Sequence, residues 1–189
     1  MIKKLPVTMA ALALTATAFT SQSALAAIVC NTTAITIPNN IDGVYVNFVT
    51  NAAGVPAPTG WDFNPYNNNA GLQFYAPANG GYVGSPTGAA AGGDAYVLAP
   101  GTPIGPSSVF SGVNQVDATA FRDGGTLLVG LRFPNESNGN AIHYGWAELQ
   151  TTAGTGFPAT INRYCWENVA ATAIPAGTTP VSLQSYSVD

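Results

Sequence analysis

The single histidine of the sequence, His143, opens the segment HYGWAEL (143–149), which also contains Trp146 and Glu148. A histidine is the usual base of nucleophilic catalysis, which also needs a nucleophile and an orienting group. The sequence contains no G-x-S-x-G nucleophile elbow, because GPSSVFSG (105–112) has a different spacing. We therefore interpret His143 as a half-exposed residue at the rim of a strand, and we assign no catalytic residue.

The segment GWDFNPYNNN (60–69) combines aromatic rings with amide and carboxylate side chains. A carbohydrate site needs both, because sugars stack on rings and their hydroxyls take hydrogen bonds. The candidate binding residues are Trp61, Asp62, Asn64, Tyr66 and Asn67. Two alternatives stay open. Trp61 can belong to the core while the asparagines form turns, or Asp62 can hold calcium, although its spacing matches no calcium loop.

Four carboxylates lie near aromatic residues and raise the question of glycoside hydrolysis: Asp62, Asp94, Glu136 and Glu148. That chemistry needs two carboxyl groups at a suitable separation, which the sequence does not supply. One histidine and two cysteines do not make a closed zinc shell. We expect no metal site and no cofactor.

The elements that position these residues are predicted to be strands, since no apolar pattern with helical period follows residue 26. Short runs rich in β-branched and aromatic residues alternate with Gly, Pro and Asn clusters, which is typical of an all-β domain. The predicted strands are 34–37, 43–50, 72–76, 94–99, 126–133, 141–151, 159–168 and 180–188. Turn-rich segments at 134–140 and 152–158 predict that the three strands around them form an antiparallel meander.

The alternation within this meander also assigns faces. Tyr144, Trp146 and Glu148 share one side of their strand, and His143 lies on the other. Glu148 is expected to pair with Arg132 or Arg163 on a neighbouring strand. The predicted architecture is a single-domain antiparallel two-sheet sandwich of jelly-roll type that ends in this meander.

The first 26 residues have the features of a secretory signal peptide. Lys3 and Lys4 precede an apolar run, and Ala24-Leu25-Ala26 fits the small-x-small cleavage rule. Residues 27–189 would then form one all-β domain without an integral membrane segment. Three arginines against nine acidic residues give this part a formal charge of −6. Such a surface has no basic stripe, so nucleic-acid partners are not expected.

The two cysteines, Cys30 and Cys165, are the only ones in the chain. An even number in an exported protein predicts one disulfide bond between them, with two free thiols as the alternative.

The late meander resembles a group of uncharacterised exported bacterial proteins that carry a GFRF…HYGWARL…I.AG pattern, many with a PEP-CTERM sorting tail. The matching segments here are LLVGLRF, IHYGWAELQ and TAIPAG, and Tyr144-Gly145-Trp146 is the most specific part. Glu148 departs from the basic residues of that pattern, and the end of this sequence, IPAGTTPVSLQSYSVD, lacks the motif of the tail. The resemblance implies export, here with release expected, and it implies no catalytic residues.

These observations predict a non-enzymatic exported surface or extracellular protein with a structural or adhesive role. Its expected partners are glycans or cell-surface proteins. The alternative is a carbohydrate-binding module or a cryptic glycan-active enzyme.

Overall fold

The computed structural model describes residues 27–84, 94–111 and 114–180, and it is all-β with antiparallel pairing. Two short 3-10 turns, Thr119–Asp123 and Glu136–Asn138, interrupt the strands. The strands are β1 (Ile28–Asn31), β2 (Ile35–Ile37), β3 (Tyr45–Val46), β4 (Ala53–Gly54), β5 (Asn64–Asn67), β6 (Leu72–Ala76), β7 (Gly81–Tyr82), β8 (Val97–Leu98), β9 (Pro103–Ile104), β10 (Asn114–Asp117), β11 (Gly125–Asn135), β12 (Ala141–Thr151), β13 (Ala159–Glu167) and β14 (Ile174–Pro175).

Two sheets enclose the main core. The larger has seven strands in the order β1-β13-β12-β11-β7, with β2 also on β13 and β8 also on β11, and the smaller has the order β10-β6-β5. Phe74 and Val116 of the small sheet are fully buried in one cluster with Leu131, Phe133 and Ile161 of the large sheet. Apolar residues on facing strands thus fill the space between the sheets, and the predicted two-sheet sandwich is confirmed.

The C-terminal meander is confirmed too, and it forms the centre of the large sheet. β12 pairs along its whole length with β11, and its other edge pairs with β13. The register changes between Glu148 and Leu149, which marks a β-bulge. Arg163 lies opposite Glu148 and donates to its Oε2 at 2.8 Å, so Arg163 and not Arg132 is its partner.

A third layer covers the outer face of the large sheet. The ribbon of β9 and β14 places Ile104 and Ile174 in a second buried cluster with Leu128, Tyr144 and Trp146. A glycine is required under this layer. A Cβ on Gly130 would lie 2.7 Å from atoms of both Leu98 and Val83, closer than side chains pack.

The predicted disulfide between Cys30 and Cys165 is confirmed. The two residues are register partners on β1 and β13, with 4.1 Å between their Cα atoms. The bond therefore fastens the first described strand to the last long one.

Several sequence predictions need correction. His143 is not a half-exposed rim residue but fully buried: its Nδ1 lies 2.7 Å from the carbonyl of Glu167, and its ring packs on Phe133 and Trp166. The strand predicted at 43–50 is reduced to Tyr45–Val46, because the chain turns where the Asn47 side chain accepts two backbone N–H groups.

The strand predicted at 180–188 falls, from residue 181 onward, outside the residues that the structure describes. Over the described ranges, no helix combines the length and the hydropathy that crossing a membrane requires.

Candidate functional site

Three aromatic rings meet beside Tyr75 of the small sheet and remain partly exposed. Trp61 stacks on Tyr75 of β6, with ring centroids 5.6 Å apart, and meets Tyr45 of β3 edge-on at 5.0 Å. All three residues are half-buried. We call Tyr45, Trp61 and Tyr75 the aromatic patch. Ring pairs of this kind favour each other by about 0.5–1.5 kcal/mol, so the patch holds its own shape.

A row of polar side chains crosses the small sheet beside the patch. Tyr66, Gln73 and Asp117 are register partners on β5, β6 and β10. The Tyr66 hydroxyl donates to Gln73 Oε1 at 3.0 Å, and Gln73 Nε2 donates to Asp117 Oδ1 at 2.6 Å. The Asp117 side chain is half exposed at 51 %, and Arg122 lies 4.0 Å away. The row therefore ends in a carboxylate open to solvent.

The structure divides the five residues predicted as a binding site. Trp61 joins the aromatic patch and Tyr66 joins the polar row, where only its edge reaches the surface. Asn64 is buried, and its amide donates to the carbonyls of Asp42 and Val44. Asn67 donates to Asn39 and accepts from the backbone of Gly71. The two asparagines thus hold turns together.

Asp62 is turned into the protein, with 2 % of its surface exposed. Its Oδ2 accepts a hydrogen bond from the backbone N–H of Phe48 at 2.7 Å, while its Oδ1 is buried without a partner. Burial, together with the nearby Glu136 carboxylate, raises the pKa of Asp62 from 3.8 to about 8, although the bond from Phe48 opposes this.

The Glu136 carboxyl group lies near Asp62. Its Oε1 accepts a hydrogen bond from Asn47 Nδ2, and its Oε2 is buried without a partner. The carboxyl group also lies against Gly60, where an added Cβ would come within 2.7 Å of it. We call Asp62 and Glu136 the carboxylate pair. The described part of the chain contains no group of three or more His, Cys, Asp or Glu side chains that could hold a metal ion.

Sequence reasoning found Trp61 but missed Tyr45 and Tyr75 as its neighbours. Both lie in predicted strands, 43–50 and 72–76. Residues 43–50 alternate, with Val44, Val46 and Phe48 on one face and Tyr45 on the other. The structure buries these three residues in the core. That alternation was the available signal, since it sends Tyr45 away from the core, but it does not tell which other strand lies beside it.

Comparison of the chain with protein-family models, with curated proteins and with solved structures gives no match. The function must therefore be argued from the site itself.

Proposed function

We propose that the protein is exported and acts as a non-enzymatic adhesive protein that binds glycans through the aromatic patch. The observation that carries this proposal is the meeting of three partly exposed rings from three separate chain segments beside a polar row. Aromatic rings offer a flat apolar surface to the C–H face of a sugar. The solvent-exposed Asp117 carboxylate accepts hydrogen bonds from the hydroxyl groups of the sugar.

Export is supported by two independent features. The leader at residues 1–26 has the pattern of a secretory signal, and the disulfide between Cys30 and Cys165 fits an oxidising compartment. The likeness of the YGW strand to exported bacterial proteins agrees with both.

Binding is favoured over hydrolysis because one oxygen of each carboxyl group in the carboxylate pair is buried. Asp62 and Glu136 lie close enough for the charge of Glu136 to raise the pKa of Asp62, and glycoside hydrolysis uses two carboxyl groups. However, the unpartnered oxygen of each carboxyl group is buried. A glycosidic oxygen cannot reach either atom, while the aromatic patch remains accessible to a sugar.

A glycan array on residues 27–189 tests this proposal. We compare wild type with Trp61→Ala and Tyr45→Ala, and we use Tyr96→Ala as the matched control because Tyr96 is 46 % exposed outside the patch. Loss of a stacking ring should weaken binding roughly tenfold, and the control should bind like wild type. An array without hits, or equal losses in all three variants, would contradict the proposal.

A further inference from the structure

Each carboxyl group of the carboxylate pair has one oxygen atom without a hydrogen-bond partner. Asp62 Oδ1 and Glu136 Oε2 are both buried, and neither has a hydrogen-bond partner. The other oxygen of each group is held in place, by the Phe48 N–H and by Asn47 Nδ2 respectively. Buried carboxylates are normally paired with a cation or fully hydrogen-bonded. These two oxygen atoms therefore need a partner, which can be a proton or a cation.

The protein supplies no cation for them among its described residues. Arg122 pairs with Asp117 and Arg163 pairs with Glu148, while Arg132 lies over the ring of Phe110 and has a buried Nε without a hydrogen-bond partner. A proton shared between the two carboxyl groups would leave the pair with one negative charge. A divalent cation would neutralise both at once.

The acceptors around the Asn47 amide are oxygen atoms. The carbonyls of Thr59 and Gly60 converge on the same Asn47 amide nitrogen that binds Glu136, at 3.0 and 2.8 Å. Asn47 cannot be turned around to offer its oxygen instead, because that atom accepts from Val49 and Thr50. Carboxylate and carbonyl oxygens without nitrogen or sulfur ligands suit calcium, which takes six to eight oxygens in a flexible geometry.

We propose that Asp62 Oδ1 and Glu136 Oε2 are ligands of a calcium ion, with backbone carbonyls or water completing its shell. The site lies directly beside the aromatic patch in the chain, since Trp61 stands between Gly60 and Asp62. A bound ion would tie the 47–62 segment to the 3-10 turn at Glu136–Asn138. The proposal does not depend on glycan binding, because it concerns the carboxylates and not the rings.

Terbium, which occupies calcium sites, provides the test, because Trp61 lies close enough to sensitise its emission. We expect Tb³⁺ added to the EDTA-treated protein to give tryptophan-sensitised luminescence that Ca²⁺ displaces. Asp62→Asn and Glu136→Gln each remove a ligand charge, so the affinity for Tb³⁺ should fall by more than about tenfold. Asp123→Asn, an exposed acid elsewhere, is the matched control and should bind like wild type.

Both ligand variants keep their anchoring acceptor, for Phe48 N–H in one and Asn47 Nδ2 in the other, so each should fold. Thermal unfolding in Ca²⁺ and in EDTA provides the second readout: Ca²⁺ should raise the Tm of wild type and of Asp123→Asn only. The proposal is overturned if wild type shows neither sensitised emission nor a Tm shift. It is equally overturned if Asp62→Asn and Glu136→Gln respond to Ca²⁺ as wild type does.

Discussion

At the residue scale, Asp62 shows how position changes the chemistry of a side chain. In the sequence it stands among asparagines and aromatic rings and suggests a ligand-binding carboxylate at the surface. In the structure it is buried beside Glu136, and its pKa rises to about 8. Burial disfavours the charged form, and a second negative charge adds to this effect. Asp62 therefore lies in the interior and is not part of the exposed surface of the aromatic patch.

A pH dependence of stability follows for the protein freed of divalent cations. The folded state holds the Asp62 proton up to about pH 8, whereas the unfolded state releases it near pH 3.8. Protonation of Asp62 thus stabilises the fold fully at low pH. This contribution is lost as the pH rises from about 4 towards 8, by at most about 1.4 kcal/mol per pH unit.

Urea unfolding in EDTA at about pH 5 and about pH 8 measures this effect. Asp62→Asn cannot titrate and offers an amide N–H towards Glu136, so its free energy of unfolding should exceed that of wild type by a larger margin at the higher pH. Comparison of the two proteins cancels the contributions of the other carboxylates. A difference between them that is the same at both pH values would contradict the assignment.

At the scale of elements, the long strands follow from the sequence and the short ones do not. β11, β12 and β13 span nine or more residues each, so their alternation and the turns between them can be recognised in the sequence. The strands β7, β8 and β9 have two residues each, too few to show a period. Contacts distant in sequence decide such short strands.

β5 was missed for a different reason. Pro65 lies in its middle, and a proline normally argues against a strand because it cannot donate a ladder hydrogen bond. β5 is the last strand in the order β10-β6-β5, and the Pro65 carbonyl points away from β6 and accepts from the backbone N–H of Val44, so β6 needs no hydrogen bond from the Pro65 nitrogen. Pro65 is tolerated there and packs opposite Phe74.

The disulfide is the element-scale feature with the largest expected effect on stability. It closes a loop with a sequence separation of 135 residues, for which chain entropy gives an upper value of about 4–5 kcal/mol. Replacing both Cys30 and Cys165 by alanine should lower the free energy of unfolding by up to this amount. Urea unfolding of the double variant and of wild type, with and without reductant, measures it. Reductant should leave the variant unchanged, and an equal midpoint for oxidised wild type and the variant would contradict the expectation.

At the scale of the whole molecule, the large sheet lies between two hydrophobic clusters. Its inner face packs on the small sheet, and its outer face packs on the ribbon of β9 and β14. This explains why the polar-looking segment HYGWAEL is buried on both sides: His143 faces the first core and Trp146 the second. The sequence assigned the two residues to opposite faces. It could not show that both faces are covered, because the covering strands are short and distant in sequence.

The candidate site is likewise assembled from strands that are distant in sequence. Trp61 and Tyr66 stand in one segment and could be proposed from it, but Tyr45 and Tyr75 come from other strands. Only the pairing of β5 with β6, and the bridge between Val46 and Phe63, bring the three rings of the patch together. The composition of a segment suggests binding, while the surface that would bind is assembled from three segments.

The three tryptophans allow the central claim, glycan binding at the aromatic patch, to be tested directly. Trp146 and Trp166 are buried, with 0 % and 6 % exposed, while Trp61 is partly exposed. Each indole N–H gives its own NMR signal, which can be followed while the glycan selected by the array is added. We predict that the signal of Trp61 shifts with saturation and that those of Trp146 and Trp166 stay in place. A glycan that binds while the Trp61 signal does not move would contradict the account.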